Sequence, residues 1–453
     1  MFKKVEIWVL YLTILFSILF AVGFGVLVRQ ELVGSIKVGW ISKSALTLAE
    51  IPKNFKKIIY GDDLIVENRF PNLNGFDGTP KDEASYLLLS RYDGYLNEGI
   101  VELVDLTNFE VKHTWNPDID AFNDLVEQVD EFKYLGRDVT NKRSILLHPK
   151  LTTDGDLLFG GGSPLRKINS CSDLVFQNTH DLFHHSIETD IDGNIWAPSH
   201  MYPQSLPIEL VGGDSIQRDA YYDNAIVKLS PDGRILFEKS VSQILIDNDM
   251  SFLLFSIGND VDTDPIHLND IQPVNFDGEF WKKGDVFLSI RNLSMVFLYR
   301  PSSNQIIWKG TGPFLHQHDV DILDDHRISV FNNRSINKVG SPRNFVVGHN
   351  EVTIYDFQTD EYSSYLRDSM VENDVRTVSE GRSQILPNGD LLIEESNYGR
   401  TLYFNSDGSL NWTHVNRAEN GKVYLVGWSR ILYTQEDLQT VERFLNITGA
   451  CSE

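Results

Sequence analysis

From about residue 85 to 433 the chain alternates apolar and polar positions in short runs, the period-two pattern of strands with one face buried. Tight-turn chemistry separates the runs: Thr153-Asp154-Gly155-Asp156, Ile191-Asp192-Gly193-Asn194, Lys283-Gly284-Asp285, Asp324-Asp325-His326-Arg327 and Pro387-Asn388-Gly389-Asp390. Asp-Gly and Asn-Gly supply the positive φ that two-residue hairpins require. Most of these hairpins continue into a second one ending on an aromatic residue, as in Ala225 to Phe237, Ser294 to Trp308 and Thr401 to Trp412, with Gly99 to Trp115 as an earlier variant. Two hairpins make a four-stranded sheet, and about six such units fit, at 85–118, 145–178, 184–239, 265–310, 316–367 and 380–416. Radial repetition of such sheets protects their edges, so the expected fold class is all-β, a six-bladed β-propeller, with Lys422 to Tyr433 closing the ring. Helical spacing is confined to Ala121 to Val129 and Glu436 to Leu445, short segments outside the ring.

The N-terminus reads differently. Ile7 to Val28 carries no charge and is long enough to cross a bilayer core as a helix. Lys3 and Lys4 precede it, which places residues 1–6 in the cytoplasm and the propeller on the other, periplasmic side. A cleaved signal peptide is the rival, but the run is longer than usual and no Ala-x-Ala site follows it. The expected organisation is an anchor at 7–28, a stalk and lead-in without strong pattern at 29–84, the propeller at 85–433 and a tail at 434–453.

A net charge of −24 argues against nucleic acid, because a phosphate partner needs a basic face, and reads as extracytoplasmic solubility. Cys171 and Cys451 are the two cysteines; outside the cytoplasm they can pair, and two free thiols are the alternative.

Two hairpins share a template, His185-Ser-Ile-Glu-Thr-Asp-Ile-Asp-Gly193 and His318-Asp-Val-Asp-Ile-Leu-Asp-Asp-His326, each opening on a histidine eight positions before its turn. A residue eight before a turn lies beside one about seven after it. That register pairs His185 with His200, and His318 with Asn333 or Arg334. It sets His267-Leu-Asn269-Asp270 near Arg291, and Gly381, flanked by Glu380 and Arg382, near Ser396 and Asn397. In propellers the first strand of each blade lines the central channel, so these groups gather at one mouth as a cationic, proton-handling pocket for an oxyanion. Candidate catalytic residues are His318, His185 and His267; candidate substrate-binding residues are Arg334, Asn333, Asn269, Arg291, Arg382 and His200. His184 is a possible substitute for His185, and His113, His148, His180, His316, His326, His349 and His414 read as structural.

The phrases His184-His185-Ser-Ile-Glu with Asp192-Gly-Asn-Ile-Trp, His267-Leu-Asn-Asp, Gln317-His318-Asp with Val330-Phe-Asn-Asn-Arg334, and Gln384-Ile-Leu-Pro-Asn-Gly389-Asp resemble those of the bacterial arylsulfotransferases. The resemblance covers about 85–433. It implies an extracytoplasmic propeller that moves a sulfuryl group from an aryl sulfate to a phenol through a sulfohistidine, without metal or organic cofactor. His185 and His318 resemble the channel histidines of that family and Arg334 its sulfate-binding arginine. The family's sulfuryl-accepting histidine sits in the following blade, where this chain reads Ser379-Glu380-Gly381-Arg382-Ser383. Either His318 or His185 takes over, or the chain is a branch with other chemistry. Two further classes stay open: a metal-dependent hydrolase of an anionic ester using His185, His267 and His318 as ligands, and a membrane-anchored propeller that only binds a partner.

Overall fold

The computed structural model describes residues 6–33, 40–60, 64–127, 129, 132, 135–160, 162–180, 182–207, 221–255, 263–337 and 344–448. It divides into two units, 1–63 and 64–453. The first holds helices Ile7–Val33 and Trp40–Tyr60. The segment Ile7–Gln30 is long and apolar enough to span a membrane, and none of it is buried in protein. The second helix corrects the expectation of a patternless stalk; it carries Pro52, whose missing N–H hides the helical signal from a sequence reading.

The second unit is the six-bladed ring. From the inner strand outward, blade 1 is Arg430–Leu432, Tyr86–Asp93, Glu98–Asp105 and Glu110–Trp115. Blade 2 is Leu147–Leu151, Leu157–Gly160, Leu165–Ile168 and Leu174–Asn178. In blade 3 the inner strand is broken into Leu182–Phe183 and Glu188–Thr189, both paired with Ile195–His200, followed by Asn224–Leu229 and Ile235–Ser240. Blade 4 is Leu268–Pro273, Val286–Ile290, Met295–Arg300 and Gln305–Gly310, and blade 5 is His318–Ile322, Arg327–Asn332, Glu351–Asp356 and Glu361–Tyr365. Blade 6 is Arg382–Ile385, Leu391–Glu395, Arg400–Phe404 and Leu410–Val415, with Gly75–Gly78 added at its outer edge.

Closure therefore uses both ends of the unit: the late strand Arg430–Leu432 supplies the inner edge of blade 1, and the early strand Gly75–Gly78 the outer edge of blade 6. Cys171 is disulfide-bonded; Cys451 lies outside the described residues.

Each sheet buries both faces, so the core is a set of wedges between neighbouring blades. Leu88, Val101, Leu157 and Phe159 fill the wedge between blades 1 and 2, and Trp115 stacks there on Phe444 of the helix Gln435–Thr448. Ile226, Val241, Leu288 and Phe297 fill that between blades 3 and 4, and Phe331, Val352, Ile393 and Leu402 that between blades 5 and 6. Side chains at or near the inner strands, and Glu394 on the second strand of blade 6, also tie one blade to the next through backbone amides. Ser186 Oγ accepts from Ile271 N (3.1 Å), Asp270 from Val320 N (2.7 Å), Asp319 from Ser383 N (2.8 Å), and Glu394 from Trp428 N and Ser429 N (2.6 and 2.7 Å).

His414, on the outer part of blade 6, packs against Phe76 at 4.6 Å. Burial, with the nearby Arg91 charge, pushes its imidazole down to about 3. The unfolded chain takes up that proton near 6.5, so the native state refuses a proton that the unfolded state binds, and His414 costs stability as pH falls below that value. His414→Phe is expected to gain on the wild type by about 1.4 kcal/mol per pH unit between about pH 6.5 and 4. Denaturant unfolding of both at pH 7.5 and pH 5 checks this; a constant difference would refute it.

Candidate active site

The inner strands do not enter the channel as regular strands. Trp428 (φ 64°) in blade 1, His148 (φ 52°) in blade 2, His185 (φ 57°) in blade 3, His267 (φ 53°) in blade 4 and Glu380 (φ 55°) in blade 6 all adopt the left-handed backbone region at or just before the strand start. That conformation costs a non-glycine residue on the order of 1 kcal/mol or more and persists where the surroundings enforce it. Here it brings the side chains of five blades together. His148 packs on Trp428 (4.1 Å between ring centres) and lies 6.5 Å from His185; His185 lies 4.9 Å from His267; and His185 Nε2 is 3.9 Å from a Glu380 carboxyl oxygen. From blade 5, His318 stands 6.4 Å from His185, and its Nε2 accepts the Glu380 backbone N–H (3.3 Å).

The three sequence-predicted catalytic histidines are thus gathered at one mouth, but in different states. His318 is buried, and Asn333 fixes its tautomer. Asn333 Nδ2 donates to Glu380 O (2.8 Å) and Thr377 O (3.3 Å), so its Oδ1 accepts from His318 Nδ1 (2.7 Å). Burial and then Arg291 push His318 down to about 3. His185 shares a proton with its neighbour, Nδ1 to His184 Nδ1 at 2.8 Å, and burial followed by the surrounding imidazoles holds it well below the ordinary range. His267 donates from Nδ1 to Asp264 (2.6 Å) and is the most open of the three, with 28% of its side chain exposed.

The predicted ligand-binding residues divide. Arg291 sits beside His267, its backbone N–H on His267 O (3.1 Å); Nη1 donates to Asn292 (2.8 Å), and among the described residues it makes no ion pair. Arg334 is turned onto Glu351, which also holds Arg367. Arg382 is buried among carboxylates, 3.7 Å from Asp319 and 3.8 Å from Asp321, with its Nε and Nη1 lacking hydrogen-bond partners. Asn269 spends its Nδ2 on Gln317 O (2.8 Å), a tie between blades, and Asn333 serves His318. His200 stacks behind His184 at 4.2 Å and against Tyr222.

Several registers differ from the sequence reading. His200 pairs with Leu182 rather than His185, because blade 3's inner strand breaks between Phe183 and Glu188. His318 pairs with Phe331, shifted by a bulge at Asp319, although its side chain still reaches Asn333. Gly381 precedes the Arg382↔Glu394 pair and so faces the Glu395 level, not Ser396 or Asn397. The expected cationic pocket is also corrected. Burial keeps the inner imidazoles neutral, Arg382 and Arg334 already face carboxylates, and Arg291 is the positive charge left beside the histidines.

Three participants escaped the sequence reading. His148 belongs to the ring of side chains; it stands seven before Gly155, one short of the spacing of His185, and an irregularity between Leu147 and Lys150 shifts its register. Asp264 precedes its strand in an irregular loop and gives no periodic signal. Glu380, read only as a flank of Gly381, occupies the blade-6 place; burial raises its carboxyl toward the neutral form, while His267 and Arg291 act against that. Among the described residues, the donors close enough to share one metal ion are Asp324, Asp325 and His326, on the turn of blade 5 rather than in the channel.

The profile of the arylsulfotransferase (ASST) family matches residues 149–417. The chain belongs to this family. The match takes in blades 3 to 6, which carry His185, His267, His318, Arg334 and Glu380. No curated protein matches the chain. Similar solved structures include a protein of unknown function from Bacteroides caccae (11% identity, 77% of this chain and 99% of that one, TM-score 0.44) and the WD40 β-propeller domain of Doa1 (12%, 83% and 98%, TM-score 0.39). TolB from Acinetobacter baumannii is a third (11%, 88% and 74%, TM-score 0.41).

Proposed function

We propose that this arylsulfotransferase-family protein moves a sulfuryl group from an aryl sulfate to a phenolic acceptor through an imidazole at the channel mouth. The observation that carries the reading is the convergence of His185, His267 and His318 with Arg291 and Glu380. Neutral imidazole is the nucleophilic form, and burial keeps His185 and His318 in it well below neutral pH. In the first half-reaction a nitrogen lone pair attacks sulfur, the aryl O–S bond breaks, and the departing phenoxide takes a proton. In the second, an acceptor phenol gives up its proton, its oxygen attacks the same sulfur, and the N–S bond breaks. A guanidinium aimed at the sulfuryl oxygens stabilises charge in both transition states.

The apolar N-terminal helix anchors the protein, and Lys3 and Lys4 before it favour a propeller facing away from the cytoplasm. Turnover of a chromogenic aryl sulfate with and without added phenol tests the reaction. Phenol-dependent release is expected, and alanine at His185, His267 and His318 together is expected to abolish it. Phenol-independent release would indicate a hydrolase, and no release a binding propeller.

A further inference from the structure

Resting on the transferase reading, we propose that His267, positioned by Asp264, is the imidazole that takes the sulfuryl group, and that Glu380 protonates the departing phenoxide. The three channel histidines differ in what their nitrogens are free to do. Both nitrogens of His318 are engaged, Nδ1 by Asn333 and Nε2 by the Glu380 amide, and its side chain is closed off. His185 has Nδ1 on His184, and its Nε2 faces the Glu380 carboxyl at 3.9 Å. His267 has Nδ1 committed to Asp264 Oδ2 at 2.6 Å, so its lone pair is on Nε2, and no hydrogen bond among the described residues engages that atom.

Asp264 is itself held rigidly. Its Oδ1 accepts from His267 N (3.0 Å) and Asn224 Nδ2 (3.0 Å), and its backbone carbonyl accepts from Asn292 Nδ2 (2.6 Å). A fixed carboxylate behind an imidazole selects the tautomer and stabilises the cation that forms when the far nitrogen bonds to an electrophile. Arg291, opposite His267 across the blade-4 hairpin, brings a guanidinium charge that acts on His318 and Glu380, the charge that sulfuryl oxygens would need.

Glu380 fits the remaining task. It occupies blade 6, its side chain is 34% open to the channel, and its carboxyl lies against His185. Burial raises its carboxyl toward the protonated form that an acid must have, against the pull of His267 and Arg291. The balance is complete: His267 Nε2 bonds to sulfur as the aryl O–S bond breaks, Glu380 gives its proton to the phenoxide, and Glu380 carboxylate takes the acceptor phenol's proton as the sulfuryl group leaves His267.

The test uses the full chain. An aryl sulfate labelled at sulfur is incubated without acceptor, quenched at high pH where sulfohistidine survives, and mapped by mass spectrometry. The label is expected on His267; label on His185 or His318, or turnover with no labelled histidine, overturns the assignment while leaving transferase activity intact. Asp264→Asn is expected to lower kcat by roughly 10²–10³-fold with little change in KM for the donor. An effect confined to KM would refute the positioning role. Glu380→Gln is expected to lose roughly 10²-fold more on phenyl sulfate than on 4-nitrophenyl sulfate, whose phenoxide leaves without a proton. Equal losses on both would remove Glu380 as the acid. If the wild type releases phenol from neither ester, the transferase reading itself falls.

Discussion

Arg291→Met is expected to lower kcat/KM for an aryl sulfate by roughly 10²–10³-fold, about 3–4 kcal/mol of transition-state stabilisation, with the fold intact. The reason is charge bookkeeping at the mouth. His185 and His318 are neutral by burial, Arg382 faces Asp319 and Asp321, and Arg334 is bound to Glu351. That leaves Arg291, beside His267, as the guanidinium without a carboxylate partner among the described residues. Arg291→Lys keeps the charge but loses the fork, and belongs between the two. Arg334→Met is expected to cost less than about tenfold, because an incoming sulfate must first displace Glu351 to use Arg334. Steady-state kinetics on the three variants decide; a larger loss at Arg334 than at Arg291 would move the sulfuryl site toward blade 5.

Glu394→Ala is expected to be the most destabilising single change at the ring closure, by about 4 kcal/mol. Glu394 is fully buried on blade 6 and accepts from Trp428 N, Ser429 N and Ser396 Oγ at 2.6–2.7 Å. The first two belong to the segment that leads into the inner strand of blade 1, so one carboxylate joins the last blade to the first. Bonds to a charged acceptor are worth about 1.5–3 kcal/mol each, and truncation leaves buried amides unpaired. Glu394→Gln keeps the shape with weaker acceptors and belongs midway. Thermal or denaturant unfolding should rank wild type, Gln, then Ala; an Ala variant within about 1 kcal/mol of wild type would show that the closure does not lean on this residue.

The architecture was legible because a propeller repeats its signal. Gly155, Gly193, Gly284 and Gly389 sit at positive φ in the predicted hairpin turns, and the strand periodicity around them fixes six sheets. The N-terminal helix was legible from its unbroken apolar run, whereas Trp40–Tyr60 was obscured by Pro52 and by charges spread along it. The site was half legible. Hairpin spacing found His185, His267 and His318, because a residue's distance from its turn sets its height in the blade. It failed at His200, beside a broken strand, at Gly381, just ahead of its strand, and at Asp264, in a loop. Burial was the other blind spot, since sequence counts charges and cannot say that His185 and His318 stay neutral or that Arg382 meets carboxylates.

The two closing strands lie at different radii, Gly75–Gly78 on the rim of blade 6 and Arg430–Leu432 against the bore in blade 1. A pull along the chain from its N-terminal side meets Ile65–Val66 first, which pairs with Val423–Tyr424, and then Arg69 on Asp374 and Glu395, before it reaches the rim strand on Leu410–Val415. The first clasp thus holds the segment that runs on into Arg430–Leu432, so the early and late ends of the ring brace each other and strain is shared between hem and bore.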